Sequence, residues 1–201
     1  MWNIVEAAGW PIWPLIITSV FGLAIIIERF WALRSGSIAP ASLLSEVEKM
    51  VSQGRIKKEV ITSLKAHSML GEIFASALNN FDSSPAIIKE AIEEIGRSVN
   101  HRLEKYLPTL ATIATVAPLL GLFGTIIGMV ELFSSFTSSG HDVAVFARGI
   151  SVALYNTAGG IVVAVPAMIA YRFFRSKVDN LVMEMEQQAI KLVEIMHGQR
   201  K

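Results

Sequence analysis

The sequence predicts an all-α membrane protein with three transmembrane helices, and three observations carry that expectation. The 201-residue chain is 52% hydrophobic with a mean hydropathy of +0.49, too apolar for an ordinary soluble domain of this size. Its charges are clustered, leaving uncharged runs at Ala7–Ile27, Tyr106–Val130 and Gly149–Tyr171. Each run has about 20–25 residues, enough to cross a ~30 Å hydrocarbon core as a helix. Finally, of the 18 Lys and Arg residues only Arg148 lies between the second and third runs. The positive-inside rule then puts the N-terminus outside, residues 35–105 in the cytoplasm, the 134–147 loop outside and the C-terminus inside.

The expected boundaries are an outer segment at 1–10, span one at 11–34, a cytoplasmic helical domain at 35–105 and span two at 106–133. The outer loop at 134–147, span three at 148–174 and a cytoplasmic C-terminal helix at 175–201 complete the chain. Span one reads as retained rather than cleaved, because Arg29 and Arg34 follow the apolar run instead of preceding it. Trp2, Trp10 and Trp13 cluster at its outer mouth, as interfacial aromatics do. Pro11 and Pro14 suit its first turns, and "ERFWALR" (28–34) closes it with charge and aromatics.

In the cytoplasmic segment, Leu43, Leu44, Val47, Met50 and Val51 share a face of a helix over 41–53, which Gly54 ends. A second helix covers about 56–70, and a turn follows at "NNFDSSP" (79–85), where Ser84 and Pro85 suit a helix start. From Ile88 through Ala91, Ile92, Ile95, Val99, Leu103, Tyr106 and Leu110 the apolar spacing continues without a break signal. This predicts one helix from Pro85 to about Phe133, bent at Pro108 and Pro118. Val178, Val182, Met185, Ala189, Leu192 and Met196 form a heptad seam. It suits either packing on its own subunit or, the favoured expectation, a bundle shared between subunits.

No enzyme motif is present. His67, His101, His141 and His197 are scattered without ligand spacing, and Glu93 and Glu94 are adjacent on a charged helix. "GLFGTIIG" lacks the Gly-Lys-Ser/Thr ending of a phosphate loop. No catalytic residue, metal, cofactor or nucleic-acid partner is expected, and the absence of cysteine excludes thiol chemistry.

The spans carry a different pattern. Ala111, Ala114, Pro118, Gly121, Thr125 and Gly128 form a stripe on span two; Ala153, Thr157, Gly160 and Ala164 form one on span three. Small residues let helix backbones approach, which accounts for the glycines. Thr125 and Thr157 suit either a polar lining or simple packing, since a threonine in a span can bond back to its own helix. No Asp, Glu, Lys, Arg or His lies deep in any span; Glu131 and Arg148 sit near the outer ends. Proton pathways need an ionisable group at depth, so a carboxylate would have to come from another polypeptide.

"APLLGLFGTIIGMVELF" (117–133) and "ARGISVALYNTAGGIVVAVPAMIAY" (147–171) resemble the MotA/TolQ/ExbB proton-channel family, closest to its ExbB and TolQ members. The order of one span, a cytoplasmic segment, then two spans about a short outer loop matches as well. The resemblance implies a homopentamer in the bacterial inner membrane, with periplasmic N-terminus and loop and cytoplasmic C-terminus. Spans two and three would surround a central pore threaded by two copies of an ExbD- or TolR-like single-span protein bearing an essential aspartate. Proton flow through that aspartate would drive a TonB- or TolA-like protein. By the same resemblance Thr125 and Thr157 line the proton path, while Ala114, Pro118, Gly121, Gly128, Ala153, Gly160 and Ala164 pack the helices around the pore. The sequence departs from the family pattern at Val152, where a glutamate is usual, and at Tyr155 and Asn156.

Three functions compete on these residues. The first is an ExbB-like channel and stator subunit for TonB-type energisation, with a TolQ-like role in envelope maintenance as its sibling. The second is a non-conducting membrane scaffold. The third, a secondary transporter, ranks last because there is no internal repeat and there are only three spans.

Overall fold

A computed structural model describes residues 2–53, 58–138 and 143–197, with side chains described from residue 5 and omitted for 135–138, 143 and 145. The expected helix stop at Gly54, His141, part of the outer loop and the Trp2 side chain lie outside the described residues. Among the described residues the chain is entirely helical. Its elements are α1 (Trp2–Ala8), α2 (Ile12–Ala32), α3 (Ser35–Ile38), α4 (Leu43–Ser52), α5 (Lys58–His67), α6 (Met69–Asn79), α7 (Pro85–Leu103), α8 (Leu107–Ser138) and α9 (Val143–Met196). Three helical stretches, in α2, α7–α8 and α9, are long and apolar enough to cross a membrane.

The chain divides into two compact units. Unit 1 holds residues 1–29 and 106–173, and unit 2 holds 30–105 and 174–201. Unit 1 contains the apolar helices. Gly9, at φ +71°, ends α1, and Pro11 precedes the first residue of α2. On α2 the buried residues Ile12, Leu15 and Gly22 face the other spans, whereas Ile17, Val20, Phe21, Leu23 and Ile27 are exposed. At most 33% of any span's apolar window is buried, so each helix keeps a wide apolar face, as lipid-facing helices do. Trp10 and Trp13 are exposed, and Trp10 meets Phe123 edge-on at 6.0 Å.

The expectation of one helix from Pro85 to Phe133 is corrected here. α7 ends at Leu103 and α8 begins at Leu107, with Tyr106 between them in the left-handed region at φ +65°. Apolar periodicity runs through the break, but the left-handed backbone at Tyr106 interrupts the helix, and Pro108 falls in the first turn of α8, where its missing N–H costs nothing. The Tyr106 ring lies 5.4 Å beneath the guanidinium of Arg29, which is 5% exposed and paired with Glu28 at 2.5 and 2.7 Å. An arginine buried at the end of a span is tolerable because both a carboxylate and an aromatic face meet it.

Unit 2 is built around α6, seven of whose eleven residues are buried: Leu70, Gly71, Ile73, Phe74, Ala75, Ala77 and Leu78. The helix expected over about 56–70 is α5 at Lys58–His67 among the described residues, and α6 follows it at once where the sequence reading assigned no helix. Ser68 takes an extended backbone and its Oγ accepts the Gly71 N–H at 3.0 Å, capping α6 and ending α5. α7 packs on α6 through Ile88, Val99 and Leu103, with the Ser76 hydroxyl bonded to the Ala91 carbonyl at 3.1 Å and an Arg102–Glu72 ion pair. Of the C-terminal seam, Val178, Met185, Ala189 and Leu192 are buried within the chain itself, while Val182 and Met196 are half-buried. The physical reason is α6, which supplies apolar cover together with α7. Ile73, Ile92, Val182, Met185 and Ala189 line one groove of about 270 Å³, and Arg175 bonds Glu104 at 2.7 Å.

Gly71 is where this unit is least forgiving. A Cβ there would lie 2.2 Å from the Leu64 carbonyl oxygen, so α5 and α6 could not keep their approach. Gly71→Ala is expected to cost about 1–3 kcal/mol. The check is a thermal-unfolding midpoint several degrees lower for the detergent-solubilised protein.

Candidate functional site

The site grows from the contact between α8 and α9 in unit 1. On α8 Leu110, Ala114, Ala117, Gly121, Gly124, Gly128 and Leu132 are buried at steps of four and three, with Leu107 and Ile113 buried beside them. On α9 Gly149, Val152, Asn156, Gly160, Ala164 and Ala167 are buried, and Ala153 is half-buried. Glycine permits backbone contact along this seam. A Cβ on Gly128 would lie 2.7 Å from the Gly149 carbonyl oxygen, and one on Gly121 would lie 2.8 Å from that of Asn156. A Cβ on Gly160 would lie 2.8 Å from the Ala117 carbonyl oxygen. Span one closes the third side. Leu15, Ala117 and Ala164 form one apolar cluster, and Gly159 faces Ile12 and Leu15.

The sequence stripe on span two mixes two faces. Ala114, Gly121 and Gly128 lie in the seam, whereas Ala111, Pro118 and Thr125 sit one residue further round. Pro118 is exposed; Ala111 and Thr125 are half-buried. On span three, Gly160 and Ala164 lie in the seam with Ala153 at its edge, and Thr157 is half-buried beside it. Both threonines therefore occupy the shoulder of the contact, partly open to the outside of the single chain. Each hydroxyl donates back to its own helix: Thr125 to the Leu122 carbonyl at 2.7 Å, Thr157 to the Ala153 carbonyl at 3.0 Å. A hydroxyl so engaged still offers its oxygen lone pairs to an outside donor.

Two residues outside the sequence stripes belong to the seam: Gly124 lies in it, and Asn156, noted above only as a departure from the family pattern, points into it, fully buried and bonded to the Ala8 carbonyl at 2.7 Å. The available signal was the 4-3 spacing itself, since Asn156 falls between Ala153 and Gly160 and Gly124 between Gly121 and Gly128. Among the described residues no group of three or more His, Asp or Glu gathers as metal ligands.

A helical chain with three helices long and apolar enough to cross a bilayer, packed through small-residue contacts, is that of a multi-pass membrane protein. The sequence model of the MotA/TolQ/ExbB proton channel family matches residues 65–187, and the chain belongs to that family. It is a proton-channel subunit of the ExbB/TolQ kind and not an enzyme. The Tol-Pal system protein TolQ of Pseudomonas aeruginosa is 26% identical over 198 residues, covering 90% of this chain and 86% of the relative. Biopolymer transport protein exbB1 of Vibrio cholerae is 27% identical over 90% of this chain and 82% of its own length. The ExbB-like 3 protein of Synechocystis is 33% identical over 81% of this chain and 79% of its own.

At the departure noted above, Val152 is 2% exposed and its Cγ2 lies 3.9 Å from where a Gly9 Cβ would be. A carboxylate at this buried position would have to meet the turn between α1 and α2. Tyr155 is exposed.

Gly124→Ala is the sharpest test of the seam, because its Cβ would fall 2.3 Å from the Asn156 Cβ. The expected cost is about 2–3 kcal/mol through forced separation of α8 and α9. The measurement is the aggregation temperature of the solubilised protein, compared with Gly96→Ala, where a Cβ meets nothing within 4 Å.

Proposed function

We propose that the protein is the ExbB-like channel and stator subunit of a proton-motive-force-driven motor in the bacterial inner membrane. Five copies assemble around a pore formed by spans two and three, with the N-terminus and the 134–147 loop periplasmic and the C-terminus cytoplasmic. Two copies of an ExbD-like single-span protein occupy the pore, and the motor energises a TonB-like protein for outer-membrane transport. The observation that carries this reading is the pairing of an ion-free span interior with Thr125 and Thr157 on the shoulders of the α8–α9 seam. A bundle without its own titratable group has to line the path of an acid that another chain supplies. The Lys and Arg asymmetry supports the orientation.

The mechanism follows from the hydroxyls. While Thr125 and Thr157 donate to their own helices, their oxygens accept from a protonated partner carboxyl and stabilise its neutral form. Rotation of the hydroxyl turns the donor toward a carboxylate and stabilises the charged form instead. Either state is met without a change in backbone, which lets the acid exchange protons as it passes. Gly121, Gly128 and Gly160, with Ala114, Ala153 and Ala164, hold the two lining helices close, and Pro118 stands on the Thr125 shoulder.

Two other readings have their own support. The TolQ relative covers 90% of the chain, which favours a Tol-type role in envelope maintenance equally well. The scaffold reading draws on the self-bonded threonine hydroxyls.

In proteoliposomes containing an ExbD-like partner, Thr125→Ala together with Thr157→Ala is expected to lower partner-dependent proton flux by roughly tenfold or more, the worth of a lost hydrogen bond to a charged group. Native mass spectrometry should show the same assembly, and Thr→Ser at both sites should retain flux. Unimpaired energised transport in the double alanine variant would establish the scaffold. Robust H⁺ current from this chain alone would remove the need for a borrowed carboxylate. Complementation of exbB or tolQ deletions separates the two branches.

A further inference from the structure

Asn156 is 0% exposed inside unit 1, where an alanine would pack without leaving a polar atom unpaired. Its Nδ2 donates to the Ala8 carbonyl at 2.7 Å and to the Val152 carbonyl at 2.8 Å. Both acceptors are carbonyls, so the amide orientation is fixed by chemistry, and Oδ1 is left buried without a partner among the described residues. Ala8 is the last residue of α1, where the helix leaves carbonyls without an internal donor. Gly9, at φ +71°, turns the chain away immediately afterwards. Gly124 opposite has no side chain, and that vacancy accommodates the Asn156 Cβ.

We propose that Asn156 is a positioning residue, whose amide pins the end of the N-terminal helix α1 to span three and so fixes the rotation of the helix face that carries Thr157. The contact needs something to set its register. Gly121, Gly128, Gly149 and Gly160 bring two backbones together, but a glycine contact has no knob to stop one helix turning or sliding on the other. A single buried polar pair sets register in an otherwise smooth apolar contact, at a cost in stability. Asn156 pairs across 148 residues of sequence and precedes Thr157 by one residue, about 100° around the helix. With the amide held inward on Ala8, Thr157 is held on the shoulder. The role in proton transfer rests on the channel reading above; the pin itself does not.

The chain has no cysteine, so single-cysteine reporters start from a clean background. A spin label at Glu6→Cys, an exposed position on α1, reports whether α1 is docked. Labels at Leu154→Cys and Ala158→Cys, both exposed on span three, report its rotation through relative accessibility to oxygen and to a water-soluble nickel chelate. Asn156→Ala removes the donors; Asn156→Asp replaces them with a carboxylate aimed at two carbonyls. In full-length protein reconstituted with an ExbD-like partner, both variants are expected to free the label at position 6, change the 154/158 accessibility ratio and lower proton flux roughly tenfold, the scale of one buried hydrogen bond. Gly9→Ala, which disturbs the other side of the contact, should free the same label and add nothing to Asn156→Ala. An immobile position-6 label in both Asn156 variants would overturn the pin. A freed label with unchanged accessibility ratio and flux would overturn the positioning role and leave only an anchor. Absence of flux in the wild type would instead sink the channel reading, with the two spectroscopic readouts still deciding the pin and the rotation.

Discussion

Close contact between the backbones of α8 and α9 is the constraint from which the membrane unit follows. Gly121, Gly128, Gly149 and Gly160 bring carbonyl oxygens within a distance that a methyl group would occupy. In lipid, association gains little from burying apolar surface, since the tails are as apolar as leucine. Shape and the few polar contacts must hold the helices. The small-residue seam supplies the shape, Leu15 of span one covers its flank, and Asn156 supplies a directional bond.

The same contact decides what faces outward. Once the glycines and alanines take the inside, the residues one step round the helix become shoulders, and these include Thr125, Pro118 and Thr157. A polar hydroxyl on a shoulder is inexpensive to maintain because it bonds back to its own helix. It remains available to a group from another chain.

Unit 2 rests on different physics. Its residues pack in water-like fashion, with α6 buried along most of its length, a serine cap at Ser68 and ion pairs joining Arg102 to Glu72 and Arg175 to Glu104. Here burial of apolar area is the driving term. It draws the C-terminal seam onto its own chain, because α6 and α7 already offer a matching apolar surface. The 71–78 stretch, which the sequence reading left unassigned, belongs to a buried helix, and most of the seam is covered within one chain.

The sequence by itself determined the helical class, the three bilayer-length helices and the absence of an ionisable group at depth. Each depends only on composition and run length, quantities that are local along the chain. It also showed the family through the residues around Gly121–Gly128 and Thr157. Tertiary structure decided what depends on partners distant in sequence. Periodicity ran through Tyr106 although the backbone turns left-handed there, because side-chain spacing carries no information on a single residue's backbone angles. It grouped Pro118 and Thr125 with the packing glycines, because a stripe read at 3.6 residues per turn cannot separate a face from its shoulder. The role of Asn156 was invisible for the same reason: its acceptor lies 148 residues away at the end of α1, and only the folded chain brings the two together.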